Sequence, residues 1–321
     1  MTATPAPFIL SAFDMVTPVH QSPGLWRHPE SRAHEFDRLS FWTDLARTVE
    51  EGGFTAVFLA DILGLYDVHG SGVDATVRGG VQWPLLDPFT VVSAMAAVTE
   101  RVGFGVTASV TYEQPYLLAR TLTSLDHFTE GRIAWNVVTG YQDSAARNLG
   151  LDRQPGHDER YDRADEFLDV VAGLWDTWEA DAILHDRENG IYADPTKVHE
   201  LNHVGQYFSA RGPLTVPRTP QGRPVILQAG SSGRGRDFAS RWADLIFTGD
   251  PGIEVAKTHY ADQKQRIADL EAAFAALPAR LPPSVYPARL SVRIRHGEGD
   301  FKSAVSRRLA QGALPVRDVL K

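Results

Sequence analysis

Short apolar runs alternate with helix-patterned segments along the first three-quarters of the chain, and this alternation restricts the fold more than any single motif. PFILSAFDM (Pro7 to Met15), TAVFLAD (Thr55 to Asp61), GFGVTASV (Gly103 to Val110), GRIAWNVVT (Gly131 to Thr139), PVILQAG and DLIFTGD read as strands. Between them, Leu39 to Gly52 predicts a helix with Leu39, Trp42, Leu45, Ala46 and Val49 near one face. Pro88 to Val98 predicts another, capped by Asp87. Pro115 suits the first turn of a third that carries Leu118, Leu122 and Leu125. The clearest amphipathic helix spans Tyr161 to Ala180, with Phe167, Val170, Val171, Leu174, Trp175 and Trp178 on one stripe. Two more are expected, one from about Ser232 and one running into Leu277.

Apolar strands separated by helices imply a parallel sheet, either doubly wound or closed as a (β/α)8 barrel. Polar residues end many of these strands: Asp61, Asn136, Thr139, Ser231 and Asp250. A doubly wound sheet would concentrate them at one switch point, so the α/β barrel of TIM type is the expected fold. One barrel domain is expected over 1–277, with a polar insertion at about 181–223, followed by an atypical basic tail over 278–321.

Composition removes several function classes. The 321 residues include no cysteine, which excludes a disulfide scaffold, a zinc–thiolate site and a cysteine nucleophile. With 32 basic against 40 acidic residues, the net charge of −8 argues against a nucleic-acid surface. No apolar run reaches the ~20 residues of a membrane span, and the N-terminus lacks the basic and apolar regions of an export signal. A cytoplasmic protein is expected.

Three stretches could carry chemistry. QAGSSGRG (Gln228 to Gly235) follows a strand and opens a helix, where small residues and a helix N-terminus suit an anion. Ser231 and Ser232 could donate to a phosphate; alone, the motif also reads as an ordinary Gly/Ser turn with a serine cap. No Gly-Lys-Ser/Thr follows and no clean dinucleotide fingerprint is present, so the expected ligand is a mononucleotide-like phosphate. In HDERY, His157 and Tyr161 stand one helical turn apart and could face one ligand; out of context they read as a capping histidine and a half-buried aromatic. Asn136 lies inside an apolar strand and must find partners, which a flavin ring or a neighbouring backbone would supply. Thr107 and Ser109 add hydroxyls. Asp61 is either a ligand-binding acid or a structural one. The histidines His20, His28 and His34 are too scattered for a metal site, and none is expected.

Together these stretches resemble the flavin-dependent monooxygenases of the bacterial-luciferase-like superfamily, in the branch of nitrilotriacetate monooxygenase component A and dibenzothiophene-sulfone monooxygenase. The matching text is long and ordered: WRHP at Trp26, FTAVFLAD at Phe54, QWPLLDP at Gln82, GFGVTASVTYEQPYLLAR, SLDHFTEGRIAWNVVTGY, HDERYDRADEF and HVGQYFSARGPLTVPRTPQGRPVILQAGSSGRG. The resemblance covers roughly residues 7 to 275. It implies a barrel that binds FMN supplied already reduced by a separate NAD(P)H:flavin reductase. By that resemblance, Asp61, Gln82, Thr107, Asn136 and Thr139 surround the isoalloxazine and ribityl chain. His157, Tyr161, Ser231 and Ser232 hold the ribityl and phosphate end. Reduced FMN and O₂ would form a flavin C4a-peroxide that oxygenates a small organic substrate. His20 is the candidate polar group beside the substrate; its other reading is a surface-loop histidine. Leu63 to Trp83 and Asp181 to Arg223 are expected to wall the flavin, while Arg78 and Lys197 do not decide the substrate's charge. Other readings are a non-catalytic FMN-binding relative and a coenzyme F420-dependent reductase on the same barrel. A homo-oligomer is expected.

The tail departs from this pattern. From Pro278 to Lys321 the net charge is +6, leaving −14 for the rest, and RLSVRIR alternates in the manner of a strand wet on one face. A truncated, frame-shifted or divergent ending is expected, with a poorly closed barrel and an apolar edge between its first and sixth strands.

Overall fold

The computed structural model describes residues 10–275. In chain order come β1 (Ser11–Met15), α1 (Leu39–Glu51), β2 (Ala56–Ala60), α2 (Asp74–Gly79), α3 (Pro88–Ala96), β3 (Gly103–Ser109), α4 (Pro115–Phe128) and β4 (Ile133–Val138). Then follow α5 (Asp143–Asn148) and α6 (His157–Trp175). Two small antiparallel pairs come next, β5 (Ile183–Asp186) with β6 (Ile191–Ala193) and β7 (His203–Val204) with β8 (Ser209–Ala210). β9 (Val225–Gln228), α7 (Gly233–Trp242), β10 (Leu245–Ile246) and α8 (Ile253–Ala275) complete the described chain.

Six strands form one parallel sheet in the order β1-β2-β3-β4-β9-β10. A doubly wound sheet reverses its order at a switch point. This one never does, so each strand adds to the same edge, as a barrel requires. The sheet also curls. Phe13 of β1 and Phe247 beside β10 lie at opposite ends of the strand order, yet their rings are 5.2 Å apart. Both pack against Phe58 of β2, at 4.9 and 5.8 Å. The fold is the expected α/β barrel type.

The alternation along each strand sets the layers. Val57, Leu59, Phe104, Val106, Ile133, Trp135, Val137 and Ile226 share one core with Trp42 and Ala46 of α1, Met95 of α3, Leu122 of α4 and Phe167 and Leu174 of α6. Burying each large apolar side chain contributes roughly 1.5–3 kcal/mol, so this layer dominates the stability. The intervening residues face the barrel axis. A Cβ at Gly105 would meet Phe58 at 3.5 Å and Leu227 at 3.6 Å, which places three strands around that glycine.

Helix starts follow the capping rules. Asp87 accepts the N–H of Phe89 at 2.8 Å, with Pro88 in the first turn. Pro115 opens α4 beneath a cap from Gln114. The helix expected over Tyr161–Ala180 instead runs from His157 to Trp175. It starts early because Asp158 and Glu159 suit the positive N-terminus. It ends early because the Thr177 hydroxyl donates to the Leu174 carbonyl at 2.7 Å. Trp178 therefore leaves the stripe, and its indole donates to the Leu214 carbonyl at 2.7 Å.

The segment expected as an insertion, 181–223, carries both small strand pairs. Its far end ties the barrel's floor: Gln221 donates to the Ile133 carbonyl at the start of β4, at 2.9 Å. Arg223 grips Asp244 through two bonds of 2.7 and 2.9 Å, and Asp244 also accepts the Ile226 N–H at 2.8 Å, locking β9 to β10. Among the described residues no helix is long and apolar enough to cross a membrane. The tail 278–321, with the strand expected around RLSVRIR, lies outside the described residues.

Candidate active site

A cavity of about 310 Å³ opens at the carboxyl ends of the strands, where barrels of this type carry their chemistry. β2 leads into it through Asp61, β3 contributes Thr107 and Ser109, and β4 leads in through Thr139, Gly140 and Tyr141. Tyr161 of α6, Gln228 at the end of β9 and Gly230 of the β9–α7 connection close the other side. Of the residues singled out in the sequence, Asp61, Thr107, Ser109, Thr139 and Tyr161 line the cavity directly, while His20, Gln82, His157, Ser231 and Ser232 stand outside its lining. Asn136 sits beneath: its amide donates to the Thr107 hydroxyl at 2.9 Å, and that hydroxyl donates to the Leu59 carbonyl at 2.8 Å.

The phosphate-type motif is built where two helices begin. Ser232 caps α7, its hydroxyl accepting the Gly235 N–H at 3.0 Å, and the same oxygen lies 3.2 Å from His157 Nε2. His157 Nδ1 faces the Asp158 carboxylate at 2.7 Å, and its ring lies 5.2 Å from that of Tyr161. Ser231 is exposed beside them. The glycines are required by close approach rather than by φ. A Cβ on Gly235 would fall 2.7 Å from the Tyr161 hydroxyl, and one on Gly230 would fall 2.5 Å from it.

Gln82 and His20 belong to a second group, on the rim. Gln82 donates to the His20 carbonyl at 3.2 Å and accepts from the Tyr66 hydroxyl at 3.1 Å, and Tyr66 meets Tyr141 at 2.6 Å. The wall from Leu63 is held by Ser144, which donates to the Leu65 carbonyl at 2.6 Å, and by Asn148, which donates to that of Leu63 at 3.0 Å. His20 is buried, so the surface-histidine reading is replaced. It packs edge-on against Phe13 at 4.4 Å, within the Phe13, Phe58 and Phe247 cluster. Leu63 of the expected wall lines the cavity, but no residue of 181–223, the other expected wall segment, does. Lys197 pairs instead with Asp181, and Gln221 reaches the opposite end of β4.

Residues 12–290 match the family described as luciferase-like monooxygenase. The chain belongs to that family. It is 49% identical over 250 residues to dimethyl-sulfide monooxygenase of Hyphomicrobium sulfonivorans, covering 78% of this chain and 52% of that protein. It is 49% identical over 258 residues to long-chain alkane monooxygenase of Geobacillus thermodenitrificans, covering 80% and 59%. Among solved structures, riboflavin lyase with modified FMN and riboflavin superposes with a TM-score of 0.78 at 39% identity, covering 82% and 59%. Dibenzothiophene-sulfone and nitrilotriacetate monooxygenases, the branch expected from the motifs, match at 45% and 42%. The chain spans little more than half the length of the curated relatives it matches.

In this luciferase-like chain the cavity wall carries polar atoms that the protein leaves unpaired. Ser109 Oγ, Gln228 Oε1 and Gln142 Nε2 line it, and Asn136 Oδ1 lies beneath, all buried and without a partner among the described residues. Such atoms are costly unless a ligand or water satisfies them. As a set they offer donors and acceptors to a heteroaromatic ring, and the Ser232–His157 corner offers an anion site, so the residues present fit FMN. Burial, with Asp87 and Glu113 adding repulsion, pushes the Asp61 carboxyl up to about 7. Burial lowers His20 below the ordinary imidazole range. Among the described residues no group of His, Asp or Glu could hold a metal ion.

Tyr112, Tyr141 and Gln142 also line the cavity but were not singled out by sequence, and Gln228 and Gly230 were named there only as part of the QAGSSGRG stretch. Gln228 had a usable signal, a polar amide closing an apolar strand. Tyr141 had one too, lying just past β4.

Proposed function

We propose that this chain is the oxygenating component of a two-component flavin monooxygenase, taking reduced FMN from a separate NAD(P)H:flavin reductase. The observation that carries the reading is the corner where Ser232 meets His157 at 3.2 Å, next to Tyr161 and Gly230, which line a cavity walled by unpaired polar atoms. His157, Tyr161, Ser231 and Ser232 would hold the phosphate and ribityl end. Asp61, Gln82, Thr107, Asn136 and Thr139 would surround the ring and chain. Held there, reduced FMN would provide the two electrons that, with two protons, let one oxygen atom of O₂ enter the substrate while the other leaves as water.

The protein's own part is orientation and dryness. Tyr66, Tyr141 and Gln82 bridge the rim, holding the wall over the cavity. Phe13, Phe58 and Phe247 give an apolar face beside His20, which suits a small organic substrate with a polar end toward that imidazole. A cytoplasmic homo-oligomer drawing on cellular NAD(P)H completes the proposal.

The test is anaerobic titration with reduced FMN, then mixing with O₂ and a panel of sulfides, alkanes and aromatic sulfones. Saturable binding and oxygenated product from one class are expected. Reduced flavin that binds but yields only hydrogen peroxide with every class would overturn the monooxygenase reading.

A further inference from the structure

We propose that the site takes up its flavin together with a proton held on Asp61, so that this carboxyl is neutral in the complex. The inference rests on the flavin reading above and concerns the end of the cavity away from the Ser232–His157 corner.

Asp61 follows β2 directly and lines the cavity. Two further carboxyls act on it: Asp87, which caps α3, and Glu113, four residues beyond the end of β3. Glu113 feels Asp87 as well. Among the described residues no arginine or lysine pairs with Asp61, and its favourable contact is the Ile62 backbone N–H. Asp61 and Asp87, both in the connection between β2 and α3, and Glu113 past β3 thus bear on one region, and among the described residues no basic side chain pairs with Asp61, so its charged form is disfavoured.

An acid cluster does not by itself specify a ligand, but the same cavity wall does. Ser109 Oγ and Gln228 Oε1 are on residues only 7% and 3% exposed, and neither has a partner among the described residues. They call for a polar ligand lying alongside Asp61. Reduced FMN brings negative charge of its own. Against an ionised Asp61 it would add another like charge in a dry site; against the neutral acid it gains a hydrogen-bond donor. Binding therefore selects the protonated carboxyl. Burial and the two neighbouring acids already place its titration at about 7, where this choice has consequences.

The other groups facing the cavity do not supply the same titration. Tyr112, past β3, and Tyr141, past β4, are both held above the ordinary phenol range by burial. Tyr161 faces in from α6. His157 belongs to the phosphate and ribityl corner, where riboflavin lacks the phosphate.

Affinities of chemically reduced riboflavin and reduced FMN, followed anaerobically by quenching of tryptophan fluorescence from pH 7 to 9, test the idea, with riboflavin isolating the ring end. Riboflavin affinity should fall about tenfold per pH unit above the midpoint. Asp61→Asn should make the profile flat, and Glu113→Gln should move the midpoint to lower pH. Calorimetry of the unaltered chain in buffers of different ionisation heat should show proton uptake rising toward one per flavin at pH 8; this needs no variant to fold. A flat profile without proton uptake, or an unchanged slope in Asp61→Asn, overturns the inference and leaves the flavin reading standing. Failure of either flavin to bind at any pH overturns the flavin reading and the coupling with it.

Discussion

Ser232 Oγ lies 3.2 Å from His157 Nε2, joining the first turn of α7 to the first turn of α6 across 75 residues of sequence. Two helix N-termini therefore meet beside the cavity, next to Tyr161 and Gly230 of its lining, and their unpaired N–H groups and partial positive charges add there. A phosphate is the group such a corner suits best.

Removing a hydroxyl from that corner should separate FMN from riboflavin. Ser231→Ala should weaken FMN about tenfold, since a hydrogen bond to a charged group contributes roughly 1.5–3 kcal/mol. Riboflavin should bind as before. Ser232→Ala should in addition lower stability by about 1 kcal/mol, because the cap on Gly235 N–H is lost. Titration calorimetry and thermal melting read the two effects separately, and equal losses for both flavins would refute the phosphate assignment.

Gly235→Ala tests the close approach. The new methyl would sit 2.7 Å from the Tyr161 hydroxyl, so that ring or the β9–α7 turn must shift. FMN affinity should fall by tenfold or more with a modest loss in melting temperature. Gly233→Ala, where a Cβ meets nothing within 4 Å, is the matched control and should bind normally.

Asp61 should also be visible in the stability profile without any ligand. Its folded titration lies near 7 against 3.8 for an ordinary aspartate, so the folded chain holds this proton more tightly than the unfolded chain. Below about pH 4 both states are protonated and the residue is neutral to stability. The destabilisation grows as pH rises toward 7 and is constant above. Asp61→Asn should match the wild type at pH 4 and exceed it at pH 8, by up to roughly 4 kcal/mol. Chemical denaturation at the two pH values measures the difference; identical curves at pH 8 would remove the basis for an elevated carboxyl.

The purified chain should not consume NADH when FMN is added, since no dinucleotide fingerprint is present in its sequence. Product should form only with an added reductase or chemically reduced flavin. Spectrophotometry at the nicotinamide band checks this directly, and steady NADH loss from the chain alone would contradict a two-component system.

Much of this was legible in the sequence, for reasons that are local. Apolar strands between helices gave the parallel sheet, Asp87 and Ser232 announced the starts of α3 and α7, and the HDERY spacing put His157 and Tyr161 on one helical turn. What was hidden depends on tertiary contact. Trp178 continues the α6 stripe in sequence, but the Thr177 hydroxyl ends the helix first. The 181–223 segment looked like a cover, yet Gln221 anchors its far end at the start of β4. Tyr66 and Tyr141 meet across 75 residues, a pairing that no periodicity reports.

The unbroken order of the six strands has a consequence for how the chain is made. Each strand can dock on an edge already formed as synthesis proceeds, so Asp61 and Thr107 take their places early, in an open trough. The corner of His157 and Ser232 cannot close until both have left the ribosome. At about 5–20 residues per second their separation amounts to roughly 4–15 s. During that interval, on the flavin reading proposed above, the trough would offer the ring its wall before the corner proposed for the phosphate exists.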